Sequence, residues 1–256
     1  MRVIYGVNPV RELLRAGGEG TSELWLAEGG TRAAAMGDLE RLGRAAGAKV
    51  RTAPRAKLDR LAGTDRHQGV VAVVADYRYA DLDEILGRAE ANGRPPLVVV
   101  LDGVEDPHNL GAIVRSAHAL GAHGVVIPKD RAVGITPAAA KASAGAVERC
   151  AVARVTNVAK TLEALKEAGV WSIALAADGD RPLAEADLAG PTALVLGSEG
   201  EGLRPLVRKT CDLSAYIPMS GDLDSLSVSA SAAVALYEAA RQRTRRAPES
   251  PGAARP

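Results

Sequence analysis

The sequence contains no phenylalanine, and tryptophan and tyrosine bring the aromatics to only 3%. Its core must therefore rest on Val, Leu, Ile and Ala, and extensive stacking on nucleic-acid bases is not expected. Cysteine is also scarce. Cys150 and Cys211 lie far apart and fit no metal-ligand spacing, and His67, His108, His118 and His123 do not fit one either, so no metal is expected. No apolar run approaches the ~18 residues that a membrane helix needs, and no signal-peptide pattern is visible. A reduced, cytoplasmic setting away from the membrane is expected. The chain lacks G-x-x-x-x-G-K-[ST], and it lacks G-x-G-x-x-G after a strand. These absences argue against a nucleoside triphosphate site and against a Rossmann dinucleotide site.

What is present suits a globular protein. The 256 residues are 47% hydrophobic and 25% charged, a length that fits one large or two modest domains. The net charge of +1 hides an uneven distribution. Residues 1–80 carry 13 Lys/Arg against 9 Asp/Glu, residues 81–240 carry 14 against 21, and residues 241–256 carry 5 against 1. A polyanion would be drawn to the two ends. Within 41–66, eight basic residues face only two Asp.

The first 78 residues read as a small α/β unit. Asn8-Pro9 opens a helical pattern through Val10, Leu13 and Leu14, and ELWLA at 23–27 reads as a strand. Residues 33–46 suit a helix, Lys49-Val50 begins a strand, Leu58–Leu61 suits a short helix, and GVVAVV at 69–74 reads as a buried strand. Residues 79–96 look like a linker with one short helix, ending in the chain-breaking NGRPP.

Strands and helices then alternate. Strands are expected at 97–102, 124–127, 151–155, 171–176 and 192–196, with a short one ending at Tyr216-Ile217-Pro218. Helices are expected at 110–120, 138–146, 158–168 and 227–243. Such alternation predicts a parallel sheet covered on both faces. The tail 244–256, rich in Arg, Pro and Ala, is expected to be disordered.

Three segments carry possible chemistry. LDGVEDPHNLGAIVRSAHALGAHGVVIP (101–128) runs from a strand end through a polar loop into a helix. Asn109 is suited to cap that helix, and Gly111 allows a close backbone approach. LVLGSEGEGL (194–203) ends a strand in glycines with Glu199 and Glu201 among them, a pattern that disfavours phosphate and favours something cationic or rich in hydroxyls. IPMSGDLDSLSVSASAAVALYEAARQR (217–243) runs from a strand end into a small-residue helix. Taken singly, each also fits an ordinary structural junction.

Together they resemble the motifs of the SpoU-type branch of the SPOUT RNA methyltransferases: N-x-G-x-x-x-R at Asn109, Gly111 and Arg115, G-x-E-G-x-G-L from Gly197 to Leu203, and I-P-M … S-L-x-V-S from Ile217 to Ser229. IYGVNPVRELL (4–14), HQGVVAVV (67–74), DPHNLGA (106–112), IPKD (127–130) and RVTNVAKTLE (154–163) resemble the bacterial 23S rRNA guanosine 2′-O-methyltransferases that act on the P-site loop. One departure stands out: the pattern's usual Asn in S-L-N-V-S is Ser227 here, with a shorter reach.

The resemblance implies a C-terminal α/β domain (97–243) whose parallel sheet is threaded into a deep trefoil knot, and an N-terminal α/β domain (1–78) resembling RNA-binding ribosomal proteins. It implies S-adenosylmethionine as cofactor, held by Gly197, Ile217 and Leu226, with Gly200, Met219 and Ser227 at the same pocket. It also implies catalytic roles for Arg115, with Asn109 placing it, and for Glu199 and Ser229. Arginine is protonated in ordinary surroundings, so holding a phosphate and stabilising a developing alkoxide suit Arg115 better than acting as base. The implied partners are 23S rRNA or a pre-50S particle and a second copy of the chain as a homodimer, with the helix after Ser227 as dimer surface. Two alternatives remain: 2′-O-methylation of tRNA or another rRNA site, including the antibiotic-resistance type, and a catalytically inactive RNA-binding assembly factor.

Overall fold

The computed structural model describes residues 1–29, 33–221 and 225–246. Seven elements form the N-terminal unit: β1 (Arg2–Tyr5), α1 (Val7–Arg15), β2 (Thr21–Ala27), α2 (Ala33–Ala45), β3 (Lys49–Ala53), α3 (Arg55–Ala62) and β4 (Val70–Val74). The strands pair in the order β1-β4-β2-β3, with only β2 and β3 parallel. Strand periodicity sorts the core. Leu24 and Leu26 join Ile4, Val10 and Leu39 on one face, and Trp25 turns to Leu58 of α3 on the other. Strand β1 was not expected from the sequence; its four residues are too few to show a period. Helix α1 starts at Val7, ahead of the expected Asn8-Pro9.

The second unit comprises α4 (Leu82–Ala91), β5 (Leu97–Asp102), α5 (Pro107–Ala119), β6 (Gly124–Pro128), α6 (Pro137–Ala142), β7 (Ala151–Val155), α7 (Val158–Glu167), β8 (Trp171–Leu175), β9 (Arg181–Pro182), β10 (Thr192–Gly197), α8 (Pro205–Thr210), β11 (Leu213–Tyr216) and α9 (Val228–Arg246). All seven strands run parallel in the order β7-β6-β5-β10-β8-β11-β9. Leu97, Val99 and Leu101 of β5 pack with residues of α5 and α9, while Val98 and Val100 pack with Ile85 of α4 and Leu162 of α7. Apolar side chains on both faces explain why β5 reads as an unbroken hydrophobic run.

Several details differ from expectation. Asp106, not Asn109, caps α5, its carboxylate accepting the His108 amide at 2.8 Å. The helix expected at 138–146 stops at Ala142 and is followed by a 3-10 turn at Ala146–Glu148. Strand β9 and helix α8 were not anticipated; two and six residues are too short to announce themselves by periodicity. Helix α9 runs to Arg246, three residues into the segment expected to be disordered, and the rest of that tail lies outside the described residues.

The units meet through α6 and the 3-10 turn. Arg2 pairs with Glu148 at 2.9 Å, Arg149 with Glu12 at 2.8 Å, and Lys141 donates to the Arg66 carbonyl at 3.0 Å. Among the described residues, no helix is long and apolar enough to cross a membrane.

Candidate active site

Parallel register fixes where the site forms. Asp102 at the end of β5 lies beside Gly197 at the end of β10, and Leu196 lies beside Leu175 of β8. The loops leaving these strands therefore emerge together at the C-terminal edge of the sheet, where open α/β sheets bind ligands. The β10 loop folds back on itself: Ser198 and Gly202 exchange backbone hydrogen bonds at 3.1 and 3.0 Å. A β-carbon on Gly197 would lie 2.0 Å from the Gly202 carbonyl carbon, so only glycine fits there. Gly200 and Gly202 supply the positive φ angles, 90° and 70°, that complete the turn.

This loop, the end of β8 and the segment leading into α9 enclose a cavity of about 510 Å³. All six residues expected to hold a cofactor (Gly197, Gly200, Ile217, Met219, Leu226 and Ser227) line it, as do Glu199 and Ser231. Leu175 and Leu196 add apolar wall. Met219 and Leu226 are 40% and 36% exposed, apolar side chains left uncovered at the cavity.

Three of the four expected catalytic residues are joined by hydrogen bonds. Ser229 Oγ donates to Asn109 Oδ1 at 2.8 Å, and Asn109 Nδ2 donates to Glu199 Oε1 at 3.0 Å. The same Glu199 oxygen accepts the Val228 amide at 3.2 Å. Ser227 Oγ stands 3.2 Å from Ser229 Oγ and accepts the Ala230 amide at 3.3 Å. This network ties α5, the β10 loop and the start of α9 together across 90 to 120 residues of sequence. Asn109 occupies the first turn of α5, and its side chain is engaged by Glu199 and Ser229. Among the described residues no hydrogen bond joins Asn109 to Arg115. Arg115 lies six residues further along α5, exposed, with no hydrogen-bond or ion-pair partner among the described residues.

The close approach foreseen at Gly111 is real, but its partner is protein: a β-carbon there would lie 2.5 Å from the Ala139 carbonyl oxygen of α6. Sequence reasoning missed a second cavity of about 490 Å³, on the other side of the β10 loop. It also missed the pairing of buried Asp102 with Arg204, whose Nε donates at 2.8 Å and whose amide donates at 2.9 Å. Two residues separated by a hundred positions leave no local signal. Both cysteine thiols are pushed up to about 12, chiefly by burial, and are poor nucleophiles.

Comparison with known proteins gives this geometry its family. The SpoU rRNA Methylase family matches residues 96–237, and the RNA 2′-O ribose methyltransferase substrate binding family matches residues 3–80. The chain is 46% identical over 244 residues to the 23S rRNA (guanosine-2′-O-)-methyltransferase RlmB of Ralstonia nicotianae, covering 95% of this chain and 96% of that protein. It is 45% identical over 240 residues to a putative TrmH family tRNA/rRNA methyltransferase, YacO, of Bacillus subtilis, covering 94% of this chain and 95% of that one. Among solved structures, the SpoU methyltransferase AviRb from Streptomyces viridochromogenes, in complex with AdoMet, superposes with a TM-score of 0.79 at 29% identity, covering 95% of this chain and 90% of its own. The cavity suits that cofactor, offering volume for a small-molecule ligand, uncovered apolar side chains, a close glycine backbone and a carboxylate at its wall. The chain belongs to the SpoU rRNA methylase family and is an S-adenosylmethionine-dependent RNA 2′-O-ribose methyltransferase.

Proposed function

We propose that this enzyme methylates the ribose 2′-hydroxyl of a guanosine in the P-site loop of 23S rRNA, as a cytoplasmic homodimer acting on the rRNA or on a pre-50S particle. The supporting likeness runs nearly end to end, N-terminal unit included, to a protein named as a 23S rRNA (guanosine-2′-O-)-methyltransferase. In this reading residues 1–78 bind substrate RNA, 79–96 connect, and 97–243 carry the chemistry. The exposed outer face of α9, with Tyr237 and Val234, is the proposed dimer surface.

The single observation carrying the catalytic reading is the Asn109–Glu199–Ser229 network. S-adenosylmethionine, when bound, supplies a methyl group already activated on a sulfonium, so the protein's task is mainly alignment. Ser229 Oγ donates its hydrogen bond to Asn109, and Ser227, close to the same oxygen, then acts as donor to it. One lone pair of Ser229 Oγ is left to accept a hydrogen bond from the 2′-hydroxyl and so aim the ribose oxygen. Glu199 holds Asn109 in the orientation this requires. Arg115, with no hydrogen-bond or ion-pair partner among the described residues, is available to hold a flanking phosphate and stabilise charge developing on the 2′-oxygen.

The test is transfer of a labelled methyl group to 23S rRNA lacking this modification, with the product nucleotide mapped. A 2′-O-methylguanosine in the P-site loop, lost in Arg115→Ala, is expected. The Bacillus relative's name spans tRNA and rRNA, which favours a second reading with another RNA target. Methylation of tRNA or a different rRNA site in place of the P-site loop would select it.

A further inference from the structure

The second cavity is lined by none of the six residues expected to hold the cofactor, yet it shares a wall with the cavity that they line. Ser198, Glu199, Gly202 and Val228 line both, and Asn109 faces the second. A group seated there lies across the Asn109–Glu199–Ser229 network from the cofactor pocket. Its volume, about 490 Å³, is in the usual range for small-ligand sites of about 300–1,000 Å³.

Its charged lining divides into engaged and free groups. Asp102 is bound by Arg204, and Asp106 caps α5. Glu105, Glu201 and Arg131 line the cavity with no side-chain partner among the described residues. The backbone brings the segments that carry Glu105 and Arg131 together. The Val133 amide donates to the Val104 carbonyl at 3.0 Å, and the Arg131 carbonyl approaches to 3.8 Å of where a Gly103 β-carbon would stand. Arg131 is itself at φ 54°, a left-handed conformation disfavoured for a long side chain and the kind of strain that collects at binding sites. A free carboxylate and a free guanidinium lining one cavity match guanine. The carboxylate accepts from both N1–H and the 2-amino group, and the guanidinium donates to O6 and N7. Adenine, with an acceptor at N1, would meet the carboxylate with repulsion.

We propose that this second cavity seats the acceptor guanosine, turned out of its RNA, with Glu105 reading the Watson–Crick edge and Arg131 the O6/N7 edge. This rests on the guanosine reading above and names the residues that would enforce it.

The experiment uses semisynthetic 23S rRNA carrying guanosine, inosine or 7-deazaguanosine at the acceptor position. Inosine lacks the 2-amino group and 7-deazaguanosine lacks N7. Wild type should prefer guanosine over each by about 10- to 100-fold in kcat/KM, the range for losing a hydrogen bond of base readout. Glu105→Gln should lose the preference over inosine while keeping that over 7-deazaguanosine. Arg131→Ala should do the reverse. Unchanged S-adenosylmethionine affinity in both variants shows that they are folded. Wild-type preferences retained in both variants would overturn the cavity assignment while leaving the substrate reading intact. Failure of wild type to methylate the guanosine substrate would instead sink the substrate reading itself.

Discussion

His123 shows how one buried side chain sets a pH limit on the fold. Only 7% exposed, it accepts the Leu97 amide on Nδ1 at 3.0 Å, which requires that nitrogen to be unprotonated. Burial first, and then the charge of Arg243, pull its pKa below the ordinary 6.5. The folded state thus resists a proton that the unfolded state takes up readily. The stability from this neutral histidine is full above pH 6.5 and declines as pH falls below it. Urea midpoints measured between pH 7.5 and 5.5 should fall with acid in the wild type, and less steeply in His123→Asn, which keeps an acceptor without a titration. Equal slopes would assign the acid sensitivity elsewhere. At this scale the sequence was informative about residue type but silent about partner. Gly111 announces a close approach, but nothing near it in sequence indicates that α6 is what approaches.

Among the elements, the central strands and long helices were legible because burial on both sheet faces and helical spacing write themselves over five or more residues. The connections were not. Helix α9 is fastened by Arg243, whose guanidinium donates to the carbonyls of Pro95, Pro96, Leu188 and Gly190 at 2.6 to 3.0 Å. Burial lowers its pKa to about 10, so it remains a cation at neutral pH, held among the described residues by carbonyl dipoles. Arg243 is the last residue of the helix expected at 227–243, and nothing local in the sequence marks it as the tie between that helix and the entry of β5. Replacing it with Ala strands those acceptors and should cost at least about 2 kcal/mol, read as a lowered urea midpoint. A loss below half that would mean water replaces the clamp. Ser227 has a structural share as well, accepting the Ala230 amide at the start of α9 as a helix cap does.

In the whole molecule, parallel register assembles the site by bringing strand ends far apart in sequence to one edge. The motifs foretold which loops matter; they did not foretell the Asn109–Glu199–Ser229 bonding or the second cavity, because both depend on side chains that meet only after the sheet has formed. Charge is divided between the units too. The N-terminal unit places Arg51 and Lys57 over the ring of Trp25, 5.3 and 4.0 Å from its centroid. RNA affinity should fall steeply between 50 and 200 mM salt, by about tenfold or more if several phosphates are held. Lys57→Glu should lower both the affinity and the salt slope and leave S-adenosylmethionine binding unchanged. Affinity indifferent to salt would remove phosphate contacts from the account.

In the proposed function the Asn109–Glu199–Ser229 network aligns the ribose hydroxyl and does not serve to bind the cofactor. The most direct test is single-turnover methyl transfer to 23S rRNA by Asn109→Ala and Ser229→Ala at saturating S-adenosylmethionine, with cofactor affinity measured calorimetrically on the same preparations. The account predicts a transfer rate lower by about 100-fold or more in each variant, with cofactor affinity within a few fold of wild type. Wild-type transfer rates, or losses confined to cofactor affinity, would contradict it.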